Sequence, residues 1–196
     1  MNHLVLMGDS IIDNASYVPG EPCVTDQVRA RLSNDWQVTQ LATDGDRVQE
    51  TLSQLQHLPA GVTHIVISAG GNDALHAWEE LYQEVESVIA ALEILNGLQA
   101  RFLPHYHQLL TQAVNTGAKV VVCSIYDHIP MLEPHVRLAI AIYNDVITRE
   151  AYRFGLPVID LRVLCEQKAD YSALSEIEPS AQGGSKIAAA VVRCLK

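Results

Sequence analysis

The sequence predicts an α/β fold, a three-layer α/β/α arrangement on a flavodoxin-like five-stranded parallel sheet with strand order 2-1-3-4-5. Two observations carry this. Short apolar runs alternate with longer segments of helical period, as in the crossover units of a parallel sheet. The runs also lack strict polar alternation, as strands covered by helices on both faces do.

The five runs are His3 to Met7, Gln37 to Ala42, His64 to Ala69, Lys119 to Ile125 and Pro157 to Leu161, most of them rich in Val and Ile. Between them, Val24, Val28 and Leu32 mark a first amphipathic helix, and Val48, Leu52, Leu55 and Leu58 a second. A longer stripe from Trp78 through Leu81, Val85, Val88 and Leu92 to Leu95 predicts a helix stopping at Asn96-Gly97. A further stripe, from Phe102 to Val114, predicts another that ends at Asn115-Thr116-Gly117. Helices over about His135 to Arg153 and Gln182 to Leu195 complete the set.

A chain of 196 residues with 48% hydrophobic content suits one core, and no linker or internal repeat divides it, so one domain over residues 1–196 is expected. Lys and Arg number 13 against 23 Asp and Glu, a net charge of −10 that opposes nucleic acid as a partner. The 4 cysteines, Cys23, Cys123, Cys165 and Cys194, are widely spaced and read as reduced small hydrophobes. The apolar run of Leu4 to Met7 is too short for a signal peptide, and no long uncharged stretch suits a membrane span. A cytoplasmic protein with no membrane partner is therefore expected.

Ligands of an open parallel sheet bind beyond the carboxyl ends of its strands. The segments there carry Gly8-Asp9-Ser10, Asp44-Gly45-Asp46-Arg47, Gly70-Gly71-Asn72-Asp73, Tyr126-Asp127-His128 and Ile177-Glu178-Pro179-Ser180. Taken singly, Ser10 reads as a helix cap, Gly45 as a turn and Asn72 as an Asx-turn residue. Their coincidence on neighbouring loops points instead to a site. Asp9, Asp13 and Asp73 read as acceptors for loop N–H groups.

Gly8-Asp9-Ser10-Ile11, the lone Gly45 and Gly70-x-Asn72-Asp73 resemble the first three motif blocks of the SGNH (GDSL) hydrolase family. The resemblance implies a serine esterase-type acyl hydrolase acting on a small-molecule carboxylic ester, thioester or acetylated compound. Ser10 is then the nucleophile. The oxyanion donors are the Ser10 and Gly45 backbone N–H groups and the Asn72 side-chain amide.

The last block departs from the family pattern. Where Asp-x-x-His-Pro is expected, the chain reads Ser175-Glu176-Ile177-Glu178-Pro179, so Glu178 replaces the histidine base and Ser175 its aspartate. Three arrangements are compatible with this. Glu178 is the base, held by Arg47, which as a permanent cation cannot itself be one. Alternatively, His128 or His76 takes the role from another loop. In the third, catalysis is lost and the pocket binds a ligand, with Arg47 and Glu178 a structural pair. The catalytic set expected here is Ser10, Gly45, Asn72, Arg47 and Glu178.

No cofactor is expected, since neither a dinucleotide fingerprint nor a phosphate-binding loop is present. No metal is expected either, because His105 and His107 point apart on a helix. The stripe from Trp78 to Leu95 would either cover the domain or meet a second copy in a homodimer.

Overall fold

The computed structural model describes residues 1–195. Strand β1 (Asn2–Gly8) is followed by helix α1 (Val24–Arg31), edge strand β2 (Trp36–Gln40) and α2 (Val48–Gln54). Next come β3 (His64–Ser68), the short α3 (Gly71–His76), a 3₁₀ turn over Trp78–Tyr82 and the long α4 (Val88–Asn115). Strand β4 (Lys119–Cys123), α5 (Pro134–Arg153), β5 (Val158–Ile159), α6 (Leu161–Leu164) and α7 (Ala181–Cys194) close the chain.

All pairings are parallel, in the order β2-β1-β3-β4-β5. Helices cover both faces, with α1 against α7 on one side and α4 against α5 and α2 on the other. The expected α/β fold and strand order are those observed. The central strands are apolar throughout because both faces are covered: Leu4 to Met7 and Ile65 to Ile67 are fully buried.

One expectation is corrected. The stripe from Trp78 to Leu95 is not one helix: it runs through the 3₁₀ turn, an irregular stretch and the first turns of α4. Helix α4 starts where Ser87 Oγ accepts from Ala90 N and continues through Asn96, Gly97 and Pro104. Its later turns bury Leu98, Phe102, Tyr106 and Leu109, and that packing outweighs the breakers. The sheet edge is shorter than expected, β5 being two residues long.

The terminal connection is what positions the site. Asn14, fully buried, accepts from Val24 N at 2.9 Å through Oδ1 and donates from Nδ2 to Pro179 O at 3.0 Å. It thereby ties the segment after β1 to the one before α7. Ser180 caps α7 by accepting from Gly183 N, and its own N–H donates to Asp170 O at 2.9 Å. Gly183 allows this approach, since a Cβ there would lie 2.1 Å from Asp170 O.

Asn14→Ala strands the Val24 N–H and the Pro179 carbonyl in the interior. It is expected to lower unfolding free energy by about 1–3 kcal/mol, read by urea melts, with a larger fall in turnover than α1 damage alone explains. An unchanged midpoint would contradict this tie.

Candidate active site

The turn after β1 is built by close contact between strands. Gly8 has φ 124°, and a Cβ there would fall 1.7 Å from Ser68 O, so only glycine fits between β1 and β3. Its N–H and C=O are bracketed by the Gln54 side-chain amide at 2.9 and 2.8 Å. Asp9 Oδ1 then accepts from Ile11 N at 3.1 Å, and the turn presents Ser10 at the carboxyl end of the sheet.

Ser10 Oγ donates to Glu178 Oε1 at 3.0 Å, joining residues 168 apart in the chain. Glu178 is held by its own backbone, its N–H donating to Ser175 O at 3.0 Å and its C=O accepting from Ser172 N at 2.8 Å. The Tyr126 hydroxyl secures the preceding residue by donating to Ile177 O at 2.5 Å. The carboxylate is buried, and Oε2 has no hydrogen-bond partner among the described residues. Burial disfavours its charged form and raises its pKa to about 7. The Ser10 hydrogen bond opposes that rise, while the charge of Asp44 adds to it.

Asp9 lies deeper, and burial raises its pKa to about 8 against the hydrogen bond from Ile11. The Glu178 charge contributes to that rise. Asp13 and Asp73 accept loop N–H groups, from Asp44 and Val48, both at 3.0 Å. The reading of all three as loop acceptors agrees with these contacts.

Gly45 sits in the β2–α2 turn with φ 84° and open space where a Cβ would project. Asn72 Nδ2 donates to Asp46 O at 3.0 Å, which fastens that turn to α3. The amide thus has one hydrogen engaged, and its residue borders the same pocket as Ser10.

Arg47 departs from expectation. Its guanidinium forks onto Glu50, Nε to Oε2 at 3.2 Å and Nη2 to Oε1 at 3.1 Å, and it forms the N-cap of α2. A partner three residues along the same helix start satisfies it locally, so the pair with Glu178 is not formed. The two alternative histidines lie elsewhere as well. His76 faces a polar groove shared with Arg47 and Arg101, and a His128 ring nitrogen lies 2.9 Å from Asp127.

Ser10, Asn72 and Glu178 border one end of a largely apolar pocket of about 860 Å³, measured out to its open mouth. Asn14, Gln54 and Tyr126, which hold the site together, were missed in the sequence. Asn14 carried a faint signal as a polar residue just past Ser10. Nothing local marks the other two, whose partners are backbone atoms of distant segments.

A family model, described as the GDSL-like lipase/acylhydrolase family, matches residues 6–184. Among solved structures, a lipolytic protein of the G-D-S-L family from Veillonella parvula superposes with TM-score 0.73 at 16% identity, covering 98% of this chain and 97% of that one. The extracellular lipase of Streptomyces rimosus does so with TM-score 0.70 at 20% identity, over 99% and 100% of the two chains. Phospholipase A1 of Streptomyces albidoflavus gives TM-score 0.73 at 16% identity, over 98% and 99%. A comparison with curated proteins produced no match. At these identities the structures share the fold. The match of sequence over nearly the whole chain, with Gly8-Asp9-Ser10 at the turn after β1, is what makes this protein a member of the GDSL-like lipase/acylhydrolase family.

Proposed function

We propose that this acylhydrolase is a serine esterase in which Ser10 is the nucleophile and Glu178 the general base. The observation that carries the reading is the 3.0 Å hydrogen bond from Ser10 Oγ to Glu178 Oε1, made to a carboxylate whose pKa is raised to about 7. An ordinary exposed glutamate is too weak a base at neutral pH, whereas one poised near 7 is matched to the task.

In the proposed reaction Ser10 Oγ attacks the acyl carbon as its proton passes to Glu178 Oε1. The oxyanion is met by the N–H groups of Ser10 and Gly45 and by the free hydrogen of the Asn72 amide, the roles that the family resemblance assigns. Glu178 returns the proton to the leaving oxygen or sulfur as that bond breaks. Water then enters, gives a proton to Glu178 and attacks the acyl-serine, and the proton goes back to Ser10. The names of two structural relatives, a lipase and a phospholipase A1, support an ester substrate.

A second reading, ligand binding without turnover, draws on the engagement of Asn72 with Asp46 O and on the absence of any histidine lining this pocket among the described residues. A fluorophosphonate probe separates the two. Under the esterase reading it labels Ser10, located by peptide mass, and labelling is lost in Ser10→Ala. No adduct on the folded wild-type protein favours the binding reading.

Ester turnover should rise with pH through about 7, because the base works only when deprotonated. Glu178→Gln should remove that limb and lower kcat by about 10²–10⁴-fold, measured across a pH series. Retention of the limb in the variant would place the base elsewhere.

The same carboxyl binds its proton more tightly folded than unfolded, its ordinary pKa being 4.5. Its favourable contribution is therefore present at low pH and lost as pH rises through about 7. Glu178→Gln should melt higher than wild type above pH 8, with an advantage on the order of 3 kcal/mol that vanishes toward pH 4. Arg47→Ala, by contrast, removes only a half-exposed pair with Glu50 and should keep kcat within about threefold of wild type.

A further inference from the structure

The pocket beside Ser10 has two unlike ends. Its polar groups gather where the reaction is proposed to occur, at Asp9, Ser10, Asn72 and Glu178. Most other polar lining groups are already used: Ser68 bonds Asp9, the Ser124 hydroxyl donates to Asp160 at 2.9 Å, and the Tyr126 hydroxyl donates to Ile177 O, which leaves the Tyr143 hydroxyl and the Trp78 indole N–H. Away from that end the walls are hydrocarbon and aromatic ring. Leu75, Trp78 and Leu81 line it from α3 and the 3₁₀ turn, and Val136, Ala139 and Ile140 line it from α5.

A group that leaves the carbonyl carbon and enters this space finds mostly hydrocarbon, with only the Tyr143 hydroxyl and the Trp78 indole N–H as polar groups without a partner among the described residues. A sugar-bearing acyl substituent has more polar groups than these two could satisfy and would lose most of its hydration without replacement. An acetyl group would leave most of the walls uncovered. A straight hydrocarbon chain loses nothing polar, and each methylene it places against these walls is removed from water.

The geometry points to a medium-length straight acyl chain as the group this pocket receives, with Ala74, Ala139 and Ile140 setting how much of it fits. The inference rests on the esterase reading for its kinetics but not for its binding. Ala74 of α3 and Ala139 of α5 are two of the small residues that line it, so they leave room that longer side chains would fill.

Two measurements test this. The first follows kcat/KM for nitrophenyl acetate, butyrate, octanoate and phenylacetate. Wild type should prefer octanoate to acetate, gaining about threefold to fourfold for each added methylene until the pocket is full. Ala139→Leu and Ala74→Leu narrow it from α5 and α3, and each should lower the octanoate-to-acetate ratio by about tenfold or more. If one variant fails to fold, the other still decides. The second titrates Ser10→Ala with a fluorescent polyene fatty acid, displaced by octanoate, so that binding is read without turnover.

Octanoate binding to Ser10→Ala that weakens in the leucine variants supports the pocket even if wild type hydrolyses nothing, in which case the esterase reading alone fails. Ser10-dependent turnover that is fastest on acetate, with no displacement by octanoate, overturns the acyl-chain inference and leaves the esterase reading standing. Preference for phenylacetate over octanoate also overturns it, in favour of a compact aromatic acyl group.

Discussion

The hydrogen bond between Ser10 and Glu178 joins the first loop of the sheet to the last, and the rest of the site is arranged to keep it. Its two partners arrive from opposite ends of the chain. Asn14 fixes their separation by bonding Val24 N on one side and Pro179 O on the other. The Ser172 and Ser175 backbone contacts leave Glu178 little freedom to swing away. A side chain held by both its own backbone and a tyrosine-anchored neighbour does not need the guanidinium clamp that Arg47 was expected to supply.

The same burial that holds Glu178 also sets its chemistry. A carboxylate with one oxygen unpartnered in the interior is costly when charged, so its proton affinity rises. Asp9 sits still deeper and titrates higher, at about 8, partly because Glu178 is already negative. Burial therefore raises both carboxyls toward neutral pH, and the charge of Glu178 adds to the rise at Asp9. Two adjacent buried negative charges are far more costly than one. The other carboxylates at this edge, Asp13 and Asp73, are engaged by loop N–H groups.

The lining of the pocket explains the misread stripe. Apolar residues at Trp78 and Leu81 keep a helical spacing with Val85, Val88 and Leu92, yet they do not share one buried face. Trp78 and Leu81 line the pocket, whereas Val88, Ile89 and Leu92 are exposed at the start of α4. Periodicity records which residues are apolar and not what they face. The membrane expectation rested on similar patterning, and among the described residues no helix is long and apolar enough to cross a membrane.

The sequence by itself determined the fold and the loop that carries Ser10. Five Val- and Ile-rich runs separated by amphipathic segments admit few arrangements other than a covered parallel sheet. Gly8-Asp9-Ser10 reads directly as a tight turn, and the family resemblance drew attention to Glu178 in the last motif block. These are local properties: period, turn chemistry and motif spacing depend on neighbours along the chain. Only the tertiary structure decided which charged groups meet. Arg47 had acidic candidates both near and far, and Glu50, three residues away, satisfied it at less entropic cost than a distant buried carboxylate would. The roles of Gln54 and Tyr126 were also out of reach, and that of Asn14 nearly so, because each bonds a backbone atom of a distant segment, and a single sequence carries no record of such a partner.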